Sequence, residues 1–368
     1  MAIFADILRP TLIVDTQKVS DNIGWMAAKA AKQGIHFRPH FKTHQSVVIG
    51  EIFRKVGVKA ITVSSVEMAE YFASHGWQDI MIAFPVNLRQ AAQINQLAGR
   101  VHLGVIVESH ESIHLLDEKL NNPVDAWIKI DTGTGRTGIA WDRFEDVRSI
   151  VSSVSQSQHL NLRGLLTHAG WTYSSGSKEE VCQRYQLAND RLIQMRTQLS
   201  GAGFPRIELS VGDTPGCVLC DTLGDVNEIR PGNFVFFDAQ MLRLGVCTAE
   251  QVAAAVACPV VSMHPERDEA VIYGGAVHFS KDTVEIDGER VYGLVVRLEE
   301  GSWSGPIDGA ILARVSQEHG VLRLTSDLME SIKVGDIIGV IPAHVCLTVS
   351  ALRSYTTLQG DKITTFES

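Results

Sequence analysis

The sequence predicts an α/β protein, a (β/α)8 barrel followed by a mostly antiparallel β domain. Three observations lead there. From about residue 16 to 232, eight short β-rich runs alternate with amphipathic helical stretches, a texture that implies parallel pairing with helical crossovers. Polar and glycine-rich residues gather at the C-terminal ends of those runs, the functional face of such a barrel. After about residue 245 the alternation stops, and short strands separated by turns take over.

The expected barrel strands are 36–40, 60–64, 80–84, 101–107, 126–131, 162–167, 207–211 and 228–230, with helical segments such as 47–56, 67–75, 141–154 and 178–199 between them. A doubly wound open sheet is the alternative with the same alternation. The best anion-binding turn follows the seventh strand, where barrels commonly seat a phosphate, and this favours closure. In the later part, 256–264, 269–280, 290–298, 309–315, 321–326, 336–342 and 346–350 read as strands. Asp287-Gly288, Glu300-Gly301 and His319-Gly320 supply turn residues between them. The opening Thr11-Leu12-Ile13-Val14-Asp15 is also strand-like and is expected to pair with this region. The division is therefore 16–244 for the barrel, with 1–15 and 245–368 forming the β domain.

At 368 residues the chain is ample for these two domains. Its 45% hydrophobic and 20% charged residues are those of an ordinary globular protein. A net charge of −9, with no basic block, argues against nucleic acid and anionic membranes as partners. Neither a spanning apolar run nor a charged-then-apolar leader is visible, and six scattered cysteines form no disulfide framework. A cytoplasmic, reduced protein is expected.

Four segments carry candidate chemistry. Lys42 closes the run Arg38-Pro39-His40-Phe41-Lys42-Thr43-His44, in which Pro39 holds Arg38 out of helical geometry and so places the lysine at a strand end. His40 and His44 beside it, with partial desolvation, would lower its pKa and favour attack on an aldehyde. Arg136 lies in Asp131-Thr132-Gly133-Thr134-Gly135-Arg136-Thr137-Gly138, whose glycines let the backbone approach a ligand closely. Ser210-Val211-Gly212-Asp213-Thr214-Pro215-Gly216 reads as strand, turn and helix start, with Thr214 as N-cap and Pro215 at the first helical position. Its free amides suit a phosphate. Finally, His344 and Cys346 stand two apart in Pro342-Ala343-His344-Val345-Cys346. On a strand they would share a face, and imidazole with thiolate suits Zn²⁺.

Together these strings resemble the pyridoxal-phosphate enzymes with an alanine racemase-like barrel, in the branch of the D-serine dehydratase-like and D-threonine aldolase-like lyases. The resemblance spans nearly the whole chain. It implies that Lys42 holds pyridoxal 5'-phosphate as an imine and that Arg136 faces the ring, with Lys129 supporting it. Gly212, Asp213 (through its amide) and Thr214 would then take the phosphate. Thr167-His168-Ala169-Gly170-Trp171-Thr172-Tyr173 is similar to the family's His-x-Gly-x-x-Tyr segment, which makes Tyr173 a cofactor contact and leaves the role of His168 open. His344 and Cys346 fall where this branch carries its metal pair, so Zn²⁺ or another divalent cation is implied. The resemblance also implies a homodimer acting on a small D-amino acid.

The reading is a metal-assisted lyase on D-β-hydroxy amino acids, a dehydratase of D-serine or D-threo-3-hydroxyaspartate type giving a keto acid and ammonia. His-x-Cys resembles the dehydratases, whereas the aldolases more often show His-x-Asp. The nearest rival is a D-threonine-type aldolase yielding glycine and an aldehyde. An amino-acid racemase needs a second base and no metal, and a non-catalytic pyridoxal-phosphate carrier needs no β domain. No motif reads the substrate's side chain.

Overall fold

The computed structural model describes residues 2–366. Eight parallel strands make the barrel: His36–Phe37, Ala60–Val63, Asp79–Pro85, His102–Val107, Val124–Asp131, Leu160–Leu166, Glu208–Val211 and Glu228–Ile229. They run in sequence order around the sheet, with the last pairing the first. A bridge between His40 and Thr62, flanked by the Thr62 amide on the Pro39 carbonyl and the Phe41 amide on the Thr62 carbonyl, joins the first strand to the second. The sheet is therefore closed rather than doubly wound.

The crossovers are helices because their apolar residues recur at helical spacing. In Phe144–Gln156, Val147, Ile150, Val151 and Val154 are buried, one stripe of a 3.6-residue period. Ser65, Ser109 and Ser177 cap the helices Val66–Ser74, His110–Asp117 and Lys178–Gly201 with side-chain oxygens, meeting amides that those first turns leave unpaired.

The barrel also buries a polar ladder that sequence analysis did not anticipate. Arg38 Nε donates to Glu228 Oε2 at 2.5 Å and Nη1 to Asp79 Oδ1 at 2.5 Å. Ser210 Oγ donates to Glu228 Oε1 at 2.6 Å, and Arg230 donates to Ser210 Oγ and to the Thr167 carbonyl. Burial alone would raise the Glu228 carboxyl; Arg38 outweighs that and holds it down to about 2. Such a ladder is satisfied only when every member is present.

The second sheet has the order Glu269–Tyr273, His319–Arg323, Ile311–Val315, Gly293–Val296, Ile337–Pro342, Ala254–His264, Thr11–Val14, Ser354–Thr357, Lys362–Thr364. All its pairings are antiparallel except Thr11–Val14 with Ser354–Thr357. By packing, the chain divides into two compact units. One holds the residues up to Gly24, Thr43–Ile49 and those from Asn233 onward; the other holds Trp25–Lys42 and Gly50–Gly232. Packing thus cuts inside the helix Thr16–Lys32, whereas a division at 15/16 and 244/245 follows element type.

Three expectations about this region are corrected. Residues 269–280 are not one strand: Glu269–Tyr273 ends at Gly274-Gly275, and Ala276–Phe279 is a helical turn. A Cβ at Gly275 would lie 2.5 Å from the carbonyl oxygens of Ser316 and Gln317, so the chain turns where only glycine fits. Residues 290–298 break into Glu289–Val291, Gly293–Val296 and Leu298–Glu299. Residues 346–350 are not a strand but part of the helix Val345–Leu352, which Arg353 ends in left-handed geometry. The valines and threonine there suggested β structure, and tertiary burial of Val345, Cys346, Thr348 and Val349 overrides that propensity. No helix among the described residues is long and apolar enough to cross a membrane.

Candidate functional site

Lys42 owes its position to Phe41. The Phe41 ring is fully buried among Phe53, Phe72 and Trp77, with centroids 5.0–5.1 Å away. The turn that follows the His40 bridge then leaves Lys42 exposed. The expected surroundings of Lys42 are corrected on two points. Its side chain is exposed rather than partly desolvated. His44 is buried, which pushes it down to about 3, so it is neutral and is no cationic neighbour.

The arginine loop is built by Asp131. Its Oδ1 accepts the amides of Gly133, Thr134 and Gly135 at 2.9, 2.8 and 3.1 Å, and Oδ2 also accepts Gly135 at 2.9 Å. Burial opposes these bonds, yet together they hold the Asp131 carboxyl below its usual value. The loop closes at Gly138, with φ of +106°, where a Cβ would stand 2.8 Å from the Asp131 nitrogen and from Lys129 Cγ. Only glycine allows that return. Arg191 Nη1 donates to the Thr132 carbonyl at 2.5 Å, and its guanidinium stacks 4.4 Å from Trp141 and 5.6 Å from Trp171. Arg136, at the loop's end, is exposed.

A small pocket is lined by Lys129, Ile130, Asp131, Thr134, Arg136, Thr137 and His168. Lys129 is 6% exposed; burial first, then Arg230 and Arg136, push it down to about 7. His168 lies well below its ordinary value, first through burial and then through Lys42 and Lys129, with a smaller contribution from Arg136. One imidazole therefore feels all three cations, so the barrel brings Lys42, Lys129 and Arg136 around His168. His168 Nδ1 stands 2.6 Å from the Gly212 carbonyl. A carbonyl only accepts, so Nδ1 carries the proton and Nε2 holds a lone pair.

The turn after the seventh strand joins this group. Tyr173 Oη accepts the Thr214 amide at 3.2 Å. The N-cap of the helix Thr214–Leu219 is Asp213 rather than Thr214: Asp213 Oδ1 accepts the Gly216 amide at 2.6 Å, and Pro215 lies in the first turn. Thr214 was expected to cap because it precedes proline, but the chain is already helical at that residue. A Cβ at Gly216 would sit 2.2 Å from the Tyr185 ring, so the helix rests directly on that aromatic face.

His344 and Cys346 lie in the other unit. The expectation that they share a strand face is overturned: His344 is the N-cap of Val345–Leu352 and Cys346 is in its first turn. They are nonetheless neighbours. Burial alone would lower His344; its hydrogen bond to Cys346, the negative charges of Cys346 and Asp238, and the Asp282 contact raise it to about 10. His344 Nδ1 is 2.6 Å from Asp282 Oδ2, and Cys346 Sγ is 3.2 Å from Thr43 Oγ1. A carboxylate on Nδ1 is the arrangement that presents Nε2 to a metal. No group of three or more His, Cys, Asp or Glu side chains among the described residues is placed to hold an ion. The protein offers this pair.

Sequence reasoning missed Arg191, Arg230, Asp282 and Thr43. Only the loop-building role of Asp131 had a local signal, an aspartate followed by a glycine-rich turn.

Comparisons with known proteins bear on the family and the fold. Residues 14–240 match the family model "Alanine racemase, N-terminal domain". Residues 253–358 match "Putative serine dehydratase domain". A D-threo-3-hydroxyaspartate dehydratase of Delftia sp. (strain HT23) is 30% identical over 366 residues, covering 96% of this chain and 94% of the relative. A D-serine dehydratase of Dictyostelium discoideum is 26% identical over 378 residues, 96% and 93% of the two chains. A D-threonine aldolase of Arthrobacter sp. is 22% identical over 343 residues, 91% and 85%. The solved structure of the Delftia dehydratase superposes with a TM-score of 0.91 at 28% identity, covering 100% of this chain and 99% of that one. A cysteine-to-alanine variant of a D-threo-3-hydroxyaspartate dehydratase, solved in a metal-free form, superposes with a TM-score of 0.91 at 27% identity. The chain belongs to the alanine racemase N-terminal-domain family, with pyridoxal phosphate as the cofactor the family implies, in the branch that carries a serine dehydratase domain.

Proposed function

We propose that this protein is a pyridoxal-phosphate-dependent, metal-assisted lyase that dehydrates a D-β-hydroxy amino acid to a keto acid and ammonia. The observation that carries this reading is the His344–Cys346 pair with Asp282 on the imidazole, in a chain alike from end to end to a D-hydroxyaspartate dehydratase. A racemase has no use for such a pair.

The residues fit the cofactor. Lys42 offers an exposed amine at a strand end, and the Gly212–Thr214 turn would seat the phosphate on the amides of Gly212 and Asp213, the Thr214 amide being bonded to Tyr173 Oη. Tyr173, on the Thr214 amide, fixes that turn. Arg136 faces the ring from a loop that Asp131 holds rigid. Bound there, pyridoxal phosphate supplies an electron sink next to the substrate's Cα. Once freed by the substrate amine, Lys42 Nζ takes the proton from Cα. Neutral His168 places no extra positive charge against that lysine.

The donor set also fits a divalent ion of the Zn²⁺ kind, with imidazole Nε2 and a thiolate from the protein and open positions for hydroxyl or water. Such an ion supplies a Lewis acid for the leaving β-hydroxyl. Loss of water and hydrolysis of the resulting enamine give the keto acid and ammonia. The second reading, cleavage of Cα–Cβ to glycine and an aldehyde, is favoured by the likeness to the aldolase. Cys346 speaks for dehydration.

Domain limits of 16–244 for the barrel and of 1–15 with 245–368 for the β domain, a homodimer and a cytoplasmic location belong to the same proposal. All six cysteines are free thiols, which fits a reducing compartment. The deciding experiment incubates the enzyme with D-serine, D-threonine and D-threo-3-hydroxyaspartate and measures keto acid against glycine. Keto acid with ammonia is expected; glycine as the main product would make the enzyme an aldolase, and inversion alone a racemase.

A further inference from the structure

Asp213 is 2% exposed, and among the described residues only one of its carboxyl oxygens is bonded. Oδ1 accepts the Gly216 amide and lies 2.9 Å from Thr172 Oγ1, while buried Oδ2 has no hydrogen-bond partner among the described residues. Thr172 Oγ1 is also 2.9 Å from the Ala169 carbonyl oxygen. That hydroxyl has one proton and two oxygen neighbours. The Ala169 carbonyl can only accept, so either the hydroxyl shares its one proton between the two oxygens or Asp213 brings a proton of its own, and the second gives each contact a full hydrogen bond.

Among the described residues no cation acts on Asp213. On the helix Lys178–Gly201 it faces Tyr185, and beyond its own cap Cys217 and Cys220. Tyr185 is pushed well up by burial and Cys217 to about 12, so both stay protonated. The two bases that act on Cys217 are engaged elsewhere. Lys29 Nζ donates to the Val218 and Cys220 carbonyls at 2.8 Å, and Arg230 donates to Ser210 and the Thr167 carbonyl. A carboxylate buried with no cation and one bare oxygen is costly. The Gly216 amide and the Thr172 hydroxyl pull the other way, yet burial wins and sets the group at about 7.

We propose that Asp213 is a positioning residue that works as a neutral acid: in that form it clasps the Gly212–Thr214 turn and lets a phosphate dianion settle on the turn's amides. This rests on the reading of that turn as the phosphate seat. Ionised, Asp213 puts a negative charge behind the amides that must bind another. Linkage then requires phosphate binding to favour the protonated carboxyl, so affinity falls as pH rises through its titration.

The test uses the full-length apoprotein and two ligands. Pyridoxine 5'-phosphate carries the phosphate but an alcohol in place of the aldehyde, so Lys42 cannot bond to it; pyridoxine lacks the phosphate as well. Dissociation constants are measured by tryptophan fluorescence from pH 6 to 8.5 for the parent, Asp213→Asn and Asp213→Ser. Both replacements are neutral N-caps, and serine serves if asparagine does not fold. The parent should lose about tenfold more affinity for pyridoxine 5'-phosphate over that range than either variant, the effect of one like charge near a bound dianion. Pyridoxine should show no such difference. Parallel pH curves for parent and variants would overturn the proposal while leaving the phosphate seat intact. Equal affinity for the two ligands at pH 6 in the parent would remove the seat itself, and the proposal with it.

Discussion

Replacing Lys129 by methionine is the most quantitative probe of this site. Lys129 is 6% exposed on the strand Val124–Asp131, facing Arg230 and Arg136 with only Asp131 and Glu108 to offset them. Burial and the two arginines move it from 10.5 to about 7. At about 1.4 kcal/mol per pKa unit, keeping Lys129 charged in the folded protein costs about 5 kcal/mol. The folded pKa lies below the unfolded one. The penalty is therefore complete below pH 7, where both states carry the proton, and it fades as pH climbs from 7 to 10.5. Lys129→Met has no such charge and a similar stem, so the apoprotein should gain about 5 kcal/mol at pH 6 but only about 2 kcal/mol at pH 9. Urea unfolding at the two pH values, with a common m value, measures this. An equal gain at both would mean better packing and not charge relief. A loss at pH 6 would mean that the ammonium is needed where it stands, and would refute the electrostatic reasoning.

Four further outcomes are expected. Borohydride treatment of the cofactor-loaded enzyme should attach the cofactor to the peptide containing Lys42, and Lys42→Ala should abolish turnover with the fold intact; labelling at another lysine would withdraw the assignment. Arg136→Ala should shift the visible spectrum of the bound cofactor and weaken turnover while leaving the apoprotein's Tm nearly unchanged, whereas a stability collapse with an unaltered spectrum would make Arg136 structural. Chelation should stop keto-acid formation while the visible spectrum survives, with Zn²⁺ restoring activity in the parent but not in Cys346→Ala; full activity without metal would remove the Lewis-acid role. Glu228→Gln should cost about 3 kcal/mol at pH 7, because it removes one of the two carboxylates on Arg38 and leaves Asp79 as the other. The depressed Glu228 pKa contributes above 4.5 and is lost toward 2, so acid titration of stability should narrow that gap by about 3 kcal/mol.

The sequence by itself determined the alternation of elements and hence the barrel, because strand and helix periods are local properties of apolar spacing. It also located the strand-end strings of Lys42 and Arg136, since Pro39 and the Asp131–Gly138 glycines act on their own backbone. The pairing of Thr11–Val14 with the later sheet was legible in its apolar run. What only tertiary structure decided are features that depend on residues far away in the chain. The helix Val345–Leu352 takes its form from burial of one face, against its β-branched content, so His344 and Cys346 meet at a helix start rather than on a strand. Asp282, 62 residues away, reaches His344, and Glu228, 190 residues away, neutralises Arg38. Asp213 looks from sequence like an ordinary exposed turn residue. Burial raises its carboxyl against the pull of the Gly216 amide and the Thr172 hydroxyl, because the charge of a carboxyl depends on what solvates it, and folding replaces that water.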